Sequence, residues 1–180
     1  MKTFLYGLAF SLFFLNTYSS NAAEKQANNL IVDQEPKNSA TAIIDAYLKL
    51  KNALSTDNGK NASAAGNELV KAFKDFDQSK LTPAQRKTYT NIESDAKEHA
   101  EHIGLNAGKI AHQREHFDML SKDIYDISKL LGTDREIYVD RCPMYNKGKG
   151  AIWLSEVKEI KNPYFGKSMS TCGSIKETLH

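Results

Sequence analysis

Apolar residues recur every three or four positions through the middle of the chain, which is the spacing of amphipathic helices. Four such stripes follow one another, and the first consists of Ile43, Tyr47, Leu50 and Leu54. The other three lie within residues 62–76, 89–103 and 110–131. The pattern therefore predicts four helices in succession, each with one face turned toward a common core.

Turn and capping residues separate these stripes. Asn58-Gly59 follows the first stripe and is typical of a turn. Thr82-Pro83 combines a capping hydroxyl with a proline at the first helical position, and Gly132 follows the last stripe as a helix stop. Four amphipathic helices joined by short loops predict an up-down four-helix bundle over residues 39–132.

The pattern changes after Gly132. The segments REIYVD (135–140) and AIWLS (151–155) are strand-like, and Asn162-Pro163 marks a turn. We expect residues 133–180 to form a small, loop-rich β appendage that contains the cysteines. The fold class is then mainly α, with bundle and appendage in one domain over residues 39–180.

The N-terminus carries a different signal. Residues 1–22 combine Lys2, an apolar core too short to span a bilayer and a small-residue cleavage box, which is typical of a secretory signal peptide. Residues 23–38 are polar and predict a flexible leader. The expected product is a soluble protein of the periplasm, or otherwise exported, that does not insert into the membrane once the signal is removed. A formal net charge of +2 gives no argument for nucleic acid as a partner.

Four of the five histidines lie between residues 99 and 116. A helical hairpin centred near Asn106 would place His99 level with Gln113, beside His112. His102 and His116 would lie at the same end of the bundle. Imidazoles in such a group bind metal ions, so His99, His102, His112 and His116 are candidate ligands. The alternative is that they are core-edge or solvated histidines without a ligand.

The segment HQREH (112–116) also matches the inverted zinc-protease pattern, with Glu115 in the position of the base. Five residues match easily by chance in a charged helix, and a short single domain offers no obvious substrate cleft. The sequence contains no Ser/His/Asp order, paired acids or phosphate-binding glycine loop. We therefore expect a protein that is not an enzyme.

Both cysteines lie beside methionines, as Cys142-x-Met144 and Met169-x-x-Cys172. A Cys142–Cys172 disulfide would close a loop of about 30 residues and contribute about 3–4 kcal/mol in the chain-entropy model. Alternatively, the thiolates and thioethers form a soft site that favours Cu(I). In that case the methionine sulfurs converge on the cysteines, with His116 as the nearest imidazole.

Four motifs in this order, HQREHFDMLS, IYVDRCPM, GAIWLS and IKNPYFGKSMSTCG, resemble a bacterial family of unknown function numbered three-three-four-seven. The resemblance extends over roughly residues 40–178. Members of that family occur as stand-alone exported proteins and as C-terminal appendages on periplasmic adaptors of copper/silver-type efflux pumps. The resemblance thus implies metal homeostasis. Because the present sequence has no adaptor segments, it implies a freestanding binder.

The leading hypothesis is a periplasmic copper-binding module that buffers or delivers metal in homeostasis or efflux. Its partner would be a periplasmic efflux adaptor or a metal-delivery protein. The candidate Cu(I) ligands are Cys142, Met144, Met169 and Cys172, and the histidines provide a second or shared site. The rival hypothesis is a structural or protein-interaction domain whose appendage is stapled by the Cys142–Cys172 disulfide.

Overall fold

The structure, a computed structural model, describes residues 39–180. Its elements are α1 (Ser39–Ser55), α2 (Gly59–Lys74), α3 (Pro83–Leu105), α4 (Ile110–Leu131), β1 (Ile137–Cys142), β2 (Ala151–Ser155) and β3 (Ser174–Leu179). The predicted signal peptide and leader lie outside the described residues. Within residues 39–180, every helix is too short or too polar to cross a membrane.

The helices begin and end where the local chemistry predicts. The Thr82 side chain accepts a hydrogen bond from the Gln85 backbone N–H, and the Gln85 side chain binds back to Thr82, which forms a complete capping box before α3. The Asn58 side chain accepts from the backbone of Asn61 at the start of α2. Gly132, with a φ of 77°, ends α4 in a conformation that glycine adopts without strain.

Each helix packs against the next in sequence, and α4 returns to α1. The contact between α1 and α4 includes Tyr47 and Phe117, whose rings stack with centroids 5.2 Å apart. The Tyr47 hydroxyl also forms a 2.8 Å hydrogen bond with the Ser121 hydroxyl of α4. The predicted fold class, a mainly α four-helix bundle with a small C-terminal β appendage, is therefore confirmed.

The appendage is a three-stranded antiparallel sheet with the order β2-β1-β3. The predicted strand segments correspond to β1 and β2, whereas β3 is an additional strand that the sequence pattern does not indicate. Strand β2 packs on α4 and α1 and buries Trp153 completely. The backbone N–H of Leu154 donates a 3.1 Å hydrogen bond to the Tyr47 hydroxyl, which connects the sheet to the bundle.

Two buried charged groups lie where α1 meets the sheet. Lys51 is fully buried, and its ammonium group donates to Glu156 at 2.9 Å. Asp140 on β1 is also fully buried. The indole of Trp153 approaches its carboxyl group without a well-aligned hydrogen bond. Burial therefore raises the pKa of Asp140 to about 7, although the nearby Lys51 opposes this shift.

We expect buried Asp140 to contribute a fall in the free energy of unfolding between pH 5 and pH 8, and Asp140→Asn to remove that contribution. The pKa of Asp140 in the folded protein lies above the value of about 3.9 in an unfolded chain, so the protonated form stabilises the fold and this contribution is lost as the pH rises through 7. Urea unfolding at both pH values checks this. Burial raises the pKa of Asp123 to about 7 as well, so Asp123→Asn is the companion variant. An unchanged pH profile in Asp140→Asn would contradict the assignment.

Candidate metal centre

Three imidazoles meet where the end of α3 faces the start of α4. One ring nitrogen from each of His102, His112 and His116 lies within 4.8 Å of the other two. The rings of His102 and His116 stack with centroids 4.3 Å apart, and the His112 ring meets that of His116 edge-on at 4.6 Å. All three side chains are partly exposed, so an ion can reach them from solvent.

The fourth imidazole, that of His99, lies one turn further along the seam. Its Nδ1 is 3.2 Å from Nδ1 of His116, so one ring donates a hydrogen bond to the other. The predicted pairing of His99 with Gln113 is wrong by about one helical turn. The loop between the helices ends only at Lys109, so the hairpin is centred nearer residue 107 than Asn106.

Gln113 instead lies inside the bundle, where it fixes the helix ends that carry the histidines. Its amide group donates to the carbonyl oxygen of Gly59 at 2.9 Å and to that of Ile103 at 3.2 Å. The Ser63 hydroxyl donates to the carbonyl oxygen of Gly104. Sequence reasoning missed this role. The available signal was a polar residue located between the apolar positions Ile110 and Phe117.

The electrostatic environment keeps the central imidazole neutral. Burial, followed by the proximity of His102, His112 and His99, lowers the pKa of His116 to about 4. Burial also lowers the pKa of His99. At neutral pH both rings are therefore unprotonated, which is the form that binds metal.

Two carboxylates lie at the rim of the cluster. Glu98 is 3.9 Å from Nε2 of His102, and Glu115 is 3.4 Å from Nδ1 of His112. Metal-binding histidines are commonly oriented by a carboxylate on the second ring nitrogen. Both acids are exposed, and Glu115 is paired with His112, in keeping with an orienting role.

This donor set suits a first-row transition metal. Imidazole nitrogens bind Zn, Cu, Fe and Ni, and metal–nitrogen bonds of about 2.0–2.1 Å place tetrahedral ligands about 3.3–3.4 Å apart. The present separations of up to 4.8 Å thus require the partly exposed rings to close by about 1.5 Å. Because the side chains of His102 and His112 are partly exposed, we expect their rotation to supply this movement.

The sulfur-bearing candidates form a second, separate group. The Sγ atoms of Cys142 and Cys172 lie 2.8 Å apart, and both cysteines are free. Met144 and Met169 are exposed, with 58% and 37% of their surface accessible. The predicted convergence of the methionine sulfurs on the cysteines stays a prediction.

The structure does not combine the two groups into one site. The C-terminal segments contact α4 through Arg114 and Ser121. Each residue turns the helix by about 100°, so these two side chains lie on roughly the opposite face of α4 from His112 and His116. The histidines therefore point away from the side of α4 that carries the sheet. The cluster of potential metal ligands found among residues 39–180 contains imidazoles alone.

Comparison with known proteins matches the chain to one family. Neither the curated proteins nor the solved structures contain a match to the chain. Residues 43–136, slightly more than half of the chain, match the family described as a protein of unknown function, DUF3347. The matched segment includes all four clustered histidines and ends before β1, so the cysteine motifs lie beyond it. The chain belongs to the DUF3347 family.

Proposed function

We propose that this protein is an exported copper-binding module that buffers or delivers the metal in homeostasis or efflux. The observation that carries the proposal is the approach of the ring nitrogens of His102, His112 and His116 to within 4.8 Å of one another. His99 supports the site by its hydrogen bond to His116. The family match covers these residues but names no function.

The ligand chemistry favours copper over other ions at this cluster. Affinity at a nitrogen site generally rises through the first-row divalent metals to a maximum at Cu(II). Structural zinc sites have four fixed ligands in a closed tetrahedron, whereas the rings of His102 and His112 are partly exposed. An open rim allows the ligands of another protein to replace the imidazoles one at a time. This suits exchange of metal rather than permanent storage.

The cellular role is part of the proposal and is inferred from the sequence. The predicted signal peptide over residues 1–22 supports a periplasmic or other exported location. The resemblance to appendages of efflux adaptors suggests such an adaptor, or a metal-delivery protein, as the partner. We propose a non-enzymatic role. The carboxylate of Glu115, which holds the position of the base in the inverted zinc-protease pattern, instead pairs with His112 at the exposed rim.

The proposal is tested by titrating the exported protein with Cu(II) at pH 7 and recording electron paramagnetic resonance spectra. We expect one tightly bound Cu(II) per chain, with hyperfine splitting from at least three nitrogen ligands. Zn(II) should compete for the same site with lower affinity. The absence of nitrogen splitting, or weak binding by several ions per chain, would contradict the histidine site.

A further inference from the structure

The appendage holds two thiols side by side, one buried and one partly exposed. Cys142 ends β1 and is fully buried, whereas Cys172 precedes β3 and is partly exposed. Their sulfur atoms are 2.8 Å apart. The strand pairing of β1 with β3 fixes both positions, and the Asn162 side chain donates a 2.6 Å hydrogen bond to the carbonyl oxygen of Cys172.

Both neighbouring methionines are joined to Cys172 through the backbone. The backbone N–H of Cys172 donates to the carbonyl oxygen of Met169 at 3.1 Å. The thiol of Cys172 in turn accepts a hydrogen bond from the backbone of Met144. Two short chain segments, 142–144 and 169–172, which together carry four sulfur atoms, therefore lie side by side.

Both methionines beside the cysteines are accessible to solvent. Met144 is 58% exposed and Met169 is 37% exposed. Their thioethers are thus free to bind a ligand that arrives from solvent.

We propose that Cys142, Cys172, Met144 and Met169 form a second metal site, selective for Cu(I) and distinct from the histidine cluster. Thiolates and thioethers are soft ligands that select Cu(I), whereas imidazoles suit the borderline divalent ions. Each thiol that becomes a ligand releases its proton to solvent. The thiols lie in the sheet appendage and the imidazoles lie on α3 and α4, so we expect one chain to bind copper in both oxidation states.

Metal entry requires a small movement of one thiol. Tetrahedral coordination at a metal–sulfur distance of about 2.3 Å separates the sulfur atoms by about 3.8 Å. The two Sγ atoms must therefore move apart by about 1 Å from their 2.8 Å separation. Cys172 lies in a surface loop and is the one that moves, while Cys142 stays anchored in the core.

The test compares Cu(I) affinity in the reduced protein and in Met144→Leu/Met169→Leu, under anaerobic competition with a Cu(I) chelator. We expect one Cu(I) per chain and at least a tenfold loss of affinity in the double variant, since two of four ligands are removed. Leucine nearly conserves the volume of methionine, so the fold is retained. Met119→Leu is the matched control, because Met119 is 38% exposed on α4 and is expected to leave the affinity unchanged.

Thiol counting on protein taken from the exporting compartment completes the test. Two free thiols that copper protects from alkylation support the site. An affinity in the double variant equal to that of Met119→Leu would overturn thioether ligation. A complete Cys142–Cys172 disulfide that persists in copper-loaded cells would overturn the site and leave a structural staple. Either result leaves the histidine proposal intact, because Cu(II) binding by the imidazoles is measured separately.

Discussion

Replacing His116 by alanine is expected to lower the affinity of the protein for Cu(II) by about 100-fold or more, because even loss of a residue that only orients a ligand costs about 10- to 100-fold. His116 is the central ring of the cluster. Its centroid lies 4.3 Å from that of His102, 4.6 Å from that of His112 and 5.4 Å from that of His99. Its removal takes away a ligand and the hydrogen-bond partner of His99 together.

The chain offers a matched control for this substitution in His180, the fifth histidine, which is exposed at the C-terminus. Competition titrations of His116→Ala and His180→Ala against a common Cu(II) chelator give the difference in affinity. His99→Ala is expected to fall between the two, since His99 acts through His116. Equal affinities in His116→Ala and His180→Ala would mean that the histidines are a surface cluster without a metal.

The helical part of the fold could be predicted because its signals are local. The capping pair Thr82 and Gln85, the turn at Asn58 and the stop at Gly132 each act within a few residues. The region of the histidine cluster followed from the same reasoning, since a short loop forces the end of α3 to face the start of α4. The family membership expected from the motifs is also confirmed, although the matched segment ends at residue 136.

The pairing of individual imidazoles depended on a detail that the sequence does not reveal. The four loop residues 106–109 place the turn about one and a half residues beyond the expected centre. In an antiparallel hairpin, each pairing changes by twice the shift of the centre, which here is three positions. His99 therefore contacts His116 rather than lying level with Gln113.

Long-range pairing explains what was missed elsewhere. Strand β3 is defined by its pairing with β1, more than thirty residues away, and its own pattern SIKETL alternates only weakly. The adjacency of the two thiols depends on that same pairing. The burial of Lys51 could be read from the sequence, because Lys51 lies four residues after Tyr47 on an apolar stripe. Its partner Glu156 is separated from it by more than one hundred residues.

The second large effect concerns the contact between α2 and α3. A side chain at Gly66 would place its Cβ 2.9 Å from the carbonyl oxygen of Ala100, 3.0 Å from the backbone nitrogen of Gly104 and 3.2 Å from Ile103. Two of these neighbours are backbone atoms, which move only if the helices separate. Helix propensity alone predicts that replacing a mid-helix glycine leaves the free energy of unfolding unchanged or raises it. Close packing predicts that a side chain at this position lowers it.

We therefore expect Gly66→Val to lower the free energy of unfolding by about 3 kcal/mol and the melting temperature by on the order of 10 °C, because overpacking outweighs the gain in helix propensity. Urea unfolding followed by circular dichroism measures the change. Gly108→Val is the control, since a Cβ at Gly108 meets no atom within 4 Å. Because the Ser63 hydroxyl binds the carbonyl oxygen of Gly104 beside the histidines, separation of the helices should also weaken Cu(II) binding. Equal stability of the Gly66→Val and Gly108→Val proteins would mean that α2 and α3 do not meet closely at Gly66.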